Sequence, residues 1–137
     1  VPITITVNAA ERLRYSVFSG DIGDRELIAA FRRSMESPDF DPTLNGLVDL
    51  RAVQRLDVTS SGIWELAQVL RVADRSRTAR RVAIVAPSDF QFGMARMAAT
   101  LLSTGGLATE YHAFRDMTEA REWLGLGTER QASGELA

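Results

Sequence analysis

The chain has 137 residues, 45% of them hydrophobic and 25% charged, with a formal net charge of −2; that is the size and composition of a globular domain with a real core, not of a disordered or membrane-embedded chain. It has no cysteine and a single histidine, His112, which excludes disulfides, thiolate nucleophiles, Cys-ligated zinc and any two-His metal site within one chain. All 16 basic residues are arginine, so Schiff-base and Walker-A lysines are excluded too, and the slight negative charge offers no general attraction to nucleic acid.

Ile3-Thr4-Ile5-Thr6-Val7 alternates with period two. After a polar break at Asn8-Ala9-Ala10-Glu11, Arg12 to Gly20 alternates again, with Leu13, Tyr15 and Val17 on one face. The two runs predict an antiparallel hairpin at one end of a sheet. Asp21 or Asp24 is placed to cap a helix from Arg25 to Met35, whose inward face carries Leu27, Ile28, Phe31 and Met35. Pro38 and Pro42 make the following stretch a loop, and Phe40 is expected to plug that loop onto the core.

Gly46-Leu47-Val48-Asp49-Leu50-Arg51 reads as a short strand, followed by a helix from about Ser60 to Thr78 with Ile63, Leu66, Ala67, Leu70 and Ala73 inward. Arg81 to Pro87 is the most β-like apolar run, as in a strand buried on both faces. Ser88-Asp89-Phe90-Gln91 has the S-x-x-Q form of a capping box. It opens a helix with Phe90, Met94, Met97, Ala98 and Leu101 as its inward stripe, stopping at Gly105-Gly106. A last strand, Ala108 to Phe114, leads through a second box at Asp116 and Glu119 into a short helix. Gly125 and Leu126 are placed for a Schellman stop.

The order β-β-α-β-α-β-α-β-α predicts an α/β fold: a mostly parallel five-stranded sheet with an antiparallel N-terminal hairpin, right-handed crossovers and flanking helices. One domain is expected over residues 1–126 and a polar, frayed tail over 127–137. No stretch approaches the roughly 20 apolar residues of a membrane span. Val1-Pro2-Ile3-Thr4-Ile5 lacks the basic-then-apolar layout of a secretory signal, and the expected location is the cytoplasm.

Leu47-Val48-Asp49-Leu50-Arg51, then Leu56-Asp57-Val58-Thr59-Ser60-Ser61-Gly62, resembles the strand, loop and Ser-Ser-Gly helix start of STAS domains of the anti-sigma-factor antagonist type. Ala86-Pro87-Ser88-Asp89-Phe90-Gln91-Phe92-Gly93-Met94, then Phe114-Arg115-Asp116, Glu119-Ala120 and Trp123-Leu124, resembles the SpoIIAA-like (STAS/SEC14) family of small bacterial proteins, with similarity from about Ile3 to Leu126. The resemblance implies the fold just described. It also implies one of two roles, a regulatory module acting through protein partners or a carrier of a small apolar ligand.

In regulatory STAS domains a serine at this helix start is phosphorylated, and Ser61, with Ser60 beside it, is the matching residue. A phosphate there would meet unpaired N–H groups and a favourable helix dipole. The regulatory motif has Asp directly before the serine pair, whereas this chain has Thr59; the plainer reading is that Thr59 or Ser60 caps the helix. Asp49 and Arg51 close a central strand at its C-terminal end, where open α/β sheets place ligands. They are candidates for a ligand or partner edge; the plainer reading of Asp49 is a carboxylate that accepts nearby backbone N–H bonds, and Arg51 could equally pair with Asp49 or Asp57. Ser88, Phe92 and Trp64 complete that edge, the two aromatics lying off their helices' inward stripes. Gly93 costs its helix about 1 kcal/mol relative to Ala, which close packing or a binding approach would offset. Arg71, Arg75, Arg77, Arg80 and Arg81 read most simply as a solvated helix end, with anion binding as the alternative. His112 has no companion motif for catalysis.

The expected function is therefore a non-enzymatic binding or regulatory module, without cofactor or metal, acting on a protein partner or on itself as a homodimer. The alternative is a carrier of a small apolar or lipid-like ligand.

Overall fold

The computed structural model describes residues 2–73, 80–103 and 108–127. Its elements follow the expected order: β1 (Ile3–Asn8), β2 (Leu13–Gly23), α1 (Asp24–Glu36), β3 (Asn45–Asp57), α2 (Ser60–Ala73), β4 (Arg80–Val85), α3 (Asp89–Ser103), β5 (Thr109–Phe114) and α4 (Met117–Trp123). The five strands lie in one sheet in chain order. β1 pairs with β2 antiparallel, and every other neighbouring pair is parallel.

The sheet's two faces carry separate cores, because side chains alternate along each strand. On one face Ile3, Phe18, Leu50 and Ile84 pack under α1, α2 and α3. On the other, Leu13, Leu47, Ala83 and Val85 pack under α4 alone, through Met117, Ala120 and Leu124. β2 thus feeds both cores, with Leu13 and Tyr15 toward α4 and Ser16 and Phe18 toward the three helices.

Four local expectations are corrected. First, β3 runs far beyond the predicted Arg51. β4 leaves it at Asp49↔Val85, whereas β2 follows it to Gly23↔Asp57 through two register shifts. With one neighbour only, that extension exposes Arg51, Gln54, Arg55 and Asp57, so its sequence reads as loop. Second, Gly23, not an aspartate, caps α1; its N–H donates to Glu26 Oε1 at 2.8 Å.

Third, the most deeply buried residues of α3 are Ala95, Ala99 and Leu102, while Met94, Met97, Ala98 and Leu101 of the expected stripe are half-buried against the larger core. Phe90 is 63% exposed, because it sits in the first turn, beyond the point where β4 ends. Fourth, only half of the Ser88 box forms. Ser88 Oγ accepts from Gln91 N–H at 3.1 Å, while Gln91 Nε2 donates to Val53 O instead of turning back.

The Schellman stop is present: Leu126 N–H donates to Arg121 O at 2.8 Å, Gly125 N–H to Glu122 O at 3.0 Å, and Gly125 has φ +78°. The predicted ends of α2 at Thr78 and of α3 at Gly105-Gly106 lie outside the described residues, as does the tail from residue 128.

Candidate functional site

The three helices on the larger face do not fill the space above the sheet. A cavity of about 130 Å³ lies there. Its walls are apolar: Leu27 and Phe31 from α1, Leu66 and Leu70 from α2, Met94 and Ala98 from α3, over a floor of Val48, Val82 and Ile84. Small side chains on α3 leave this room. Gly46 adds to it from the floor, since a Cβ there would stand 3.3 Å from Val82; glycine inside a strand often marks such a close approach.

One end of the cavity is cationic. The register sets Arg14, Gly46, Val82 and Tyr111 in a row across β2 to β5, and Arg80 lies two residues before Val82 on β4. Arg14 and Arg80 both line the cavity. Arg80 is 7% exposed, and its Nε donates to Thr109 Oγ1 at 2.8 Å. Arg14 donates to the backbone oxygen of Asp41 at 2.6 Å and lies 4.4 Å over the Phe40 ring.

Among the described residues, neither guanidinium forms an ion pair with a carboxylate. Burial, and then the like charge of Arg80, lower the Arg14 pKa to about 10, outweighing the opposing influence of Asp41. The Asp41 carboxylate itself accepts from Thr43 N–H at 2.9 Å and from Thr43 Oγ1 at 2.6 Å. These bonds hold it ionised, below the usual carboxylate range.

A second cavity, of about 480 Å³, opens between β1 and the end of α1. Arg14, Ser34 and Phe40 line both. Phe40, expected to plug its loop onto the core, joins neither hydrophobic core; half-buried against Arg14, it stands between the inner cavity and an outer cleft.

The edge anticipated from the sequence is elsewhere and is largely self-satisfied. Asp49 is 5% exposed and faces α4. It accepts from Arg51 N–H, Nε and Nη2, all within 3.2 Å, and from Tyr15 Oη at 3.3 Å. It lies within β3, not at its end; it accepts a backbone N–H as the plainer reading had it, and of the two carboxylates open to Arg51 it is Asp49 that forms an ion pair.

Thr59 caps α2, its Oγ1 accepting from Gly62 N–H at 3.0 Å. Asp24 receives Thr59 N–H at 2.8 Å and Thr59 Oγ1–H at 2.5 Å. A Cβ at Gly62 would stand 2.1 Å from Asp24 Oδ1, so Gly62 is what lets a carboxylate sit against the start of α2. Ser60 and Ser61 are exposed there. A phosphate on either would enter beside that resident negative charge, a setting that repels it.

Ser88 caps α3. Trp64 is 44% exposed as expected. Phe92, in contrast, is packed against the larger core, with the Arg115 guanidinium 4.5 Å over its ring; the exposed aromatic of that turn is Phe90. Gly93 has open space around it, so close packing does not explain it. His112 is exposed and stacks near Phe114 and Trp123. Of the arginine cluster, Arg75 and Arg77 lie outside the described residues; Arg71 and Arg81 are exposed, and Arg80 is buried rather than solvated.

Sequence reasoning missed Arg14 as a site residue and named Arg80 only within an arginine cluster whose alternative reading was anion binding. The available signal was phase: Arg14 shares its strand face with Ser16 and Phe18, and Arg80 with Val82 and Ile84.

A family model described as SpoIIAA-like matches residues 15–125. No curated protein matches the sequence. Among solved structures, the chain is similar to an uncharacterised protein of the DUF3478 family with a SpoIIAA-like fold from Shewanella loihica PV-4. That likeness has a TM-score of 0.53 and 19% identity, covering 89% of this chain and 91% of the other; it establishes the fold alone.

Proposed function

The chain belongs to the SpoIIAA-like family, and on that premise we propose that it is a non-enzymatic binding module that takes a small apolar ligand between the sheet and its three covering helices. The observation that carries this reading is the 130 Å³ apolar cavity under α1, α2 and α3. An engineered cavity of about 150 Å³ lined by similar side chains stays dry and binds benzene. A well-packed core holds few voids larger than a water molecule, so a space of this size is an invitation to a ligand.

Size and energy bound what would bind. At about 0.8 kcal/mol per buried CH₂, a six-carbon chain gains roughly 4–5 kcal/mol, a Kd of about a millimolar or somewhat less. Comparing the intact mass of the gently ionised and the denatured protein would reveal a retained ligand, and titration with hexan-1-ol would measure occupancy directly. The reading expects saturable uptake of hexan-1-ol. A protein that carries no ligand and takes up none contradicts it.

A second reading, association with a protein partner or with a second copy, rests on Trp64 and Val72. They lie two turns apart on α2 and are 44% and 61% exposed, as an interface patch would require. Sedimentation of the wild type and of Trp64→Ser across a concentration series tests it. Monomers of both proteins at every concentration would remove self-association.

A further inference from the structure

We infer that the ligand is an anionic amphiphile, its apolar chain in the cavity and its carboxylate or phosphate head held by Arg14 and Arg80. This rests on the cavity reading above and specifies the chemistry of its occupant. The argument is one of unbalanced charge. Buried cations in proteins are normally paired, because removing an isolated charge from water is costly. Arg80 is nine-tenths buried, beside an apolar space, and bonds to a neutral hydroxyl.

Arg14, on the same wall, donates to a neutral carbonyl and lies close enough to Arg80 for their repulsion to be felt. The Asp41 carboxylate favours the Arg14 charge only at a distance, its hydrogen bonds going to Thr43. Among the described residues no carboxylate is ion-paired with either guanidinium, so the two like charges are under-compensated and suit an incoming anion. Guanidinium groups match carboxylate and phosphate oxygens with paired N–H donors. A free inorganic anion would satisfy the charge but leave the apolar cavity empty; a neutral apolar molecule would do the reverse. Only a molecule with both parts satisfies both walls. Arg14 also lines the outer cleft, so the head would sit where the cavity meets the route to solvent.

Calorimetric titration of the full chain with hexan-1-ol, hexanoate, hexyl phosphate and inorganic phosphate tests this. At least one of hexanoate and hexyl phosphate should bind roughly 10–100-fold more tightly than hexan-1-ol, the increment expected of charge-assisted hydrogen bonds. The tighter of the two identifies the head group. In Arg14→Met and in Arg80→Met that preference should collapse to within about twofold, while Arg25→Met, the same charge change on the exposed side of α1, should leave it intact. Arg14→Met keeps the test decisive if the more buried Arg80 cannot be replaced without loss of folding.

Equal affinity for hexan-1-ol and both anions would overturn the inference and leave the cavity reading standing. Inorganic phosphate binding as tightly as hexyl phosphate would overturn the amphiphile and leave only an anion site. Failure of hexan-1-ol and both six-carbon anions together would overturn the cavity reading itself.

Discussion

Two arginines are buried on opposite faces of one sheet, and their surroundings differ in a single respect. Arg121, 2% exposed under the α4 face, pairs with Glu11 and donates to Gly127 O at 2.6 Å. Arg80, 7% exposed under the three-helix face, has Arg14 nearby and, among the described residues, no carboxylate partner. The first tightens the structure: it ties the β1–β2 turn to the last helix across nearly the whole chain. The second stands beside an apolar cavity, where an incoming anion would supply the partner that the described residues do not. A buried charge is therefore informative about function only after its counter-charge has been looked for.

Breaking the comparison on the α4 side should give the largest effect. Arg121→Met leaves Glu11 without its partner in a mostly buried setting, and unpairing a buried ion pair typically costs about 3–5 kcal/mol. A lowered urea midpoint with unchanged slope would report that loss. On the other face, Ala98→Leu fills the cavity. It should raise stability by about 0.5–2 kcal/mol, as cavity-filling substitutions do, and abolish hexan-1-ol uptake in the same titration.

Arg14→Met sharpens the contrast with Arg121. It should change the stability of the unliganded chain by less than about 1 kcal/mol, and upward, because burial and Arg80 already disfavour the charge it removes. The sign can be checked by pH. With its folded pKa lowered to about 10 from an ordinary 12.5, Arg14 makes the wild type gain stability as pH rises through that interval. The variant should lack that component. The smallest effect is a control far from both arginines: Gly93→Ala, with open space around it, should stabilise α3 by about 0.5–1 kcal/mol in thermal or urea unfolding.

The fold was readable because its signals are periodic. Element order, the hairpin, the inward residues of α1 and α2 and the stop after α4 all follow from alternation, helical spacing and terminal residues. The far half of β3 was not readable, since a strand with one neighbour keeps its polar residues in water and reads as a loop. The stripe of α3 was misread at Phe90, which is exposed in the first turn, and it passed over small Ala95 and Ala99, which are buried beside Met94, Met97, Ala98 and Leu101.

The candidate site was hidden for a related reason. Sequence reasoning looks for ligands at the C-terminal ends of parallel strands, and that is where Asp49 and Arg51 drew attention. The cationic end of the cavity lies instead near the start of β2 and β4. Arg14 and Arg80 carry no motif, and what distinguishes them is that no carboxylate among the described residues is ion-paired with either, a property of three-dimensional neighbours.

The most direct test is a methyl NMR titration of the wild type with hexanoate, reading the two faces of the sheet side by side. Leu66, Leu70, Met94 and Leu102, around the cavity, should shift progressively and show contacts to the ligand chain, while Leu13, Met117 and Leu124 beneath α4 stay in place. Equal shifts on both faces, or none on the cavity side at saturating hexanoate, would contradict the account.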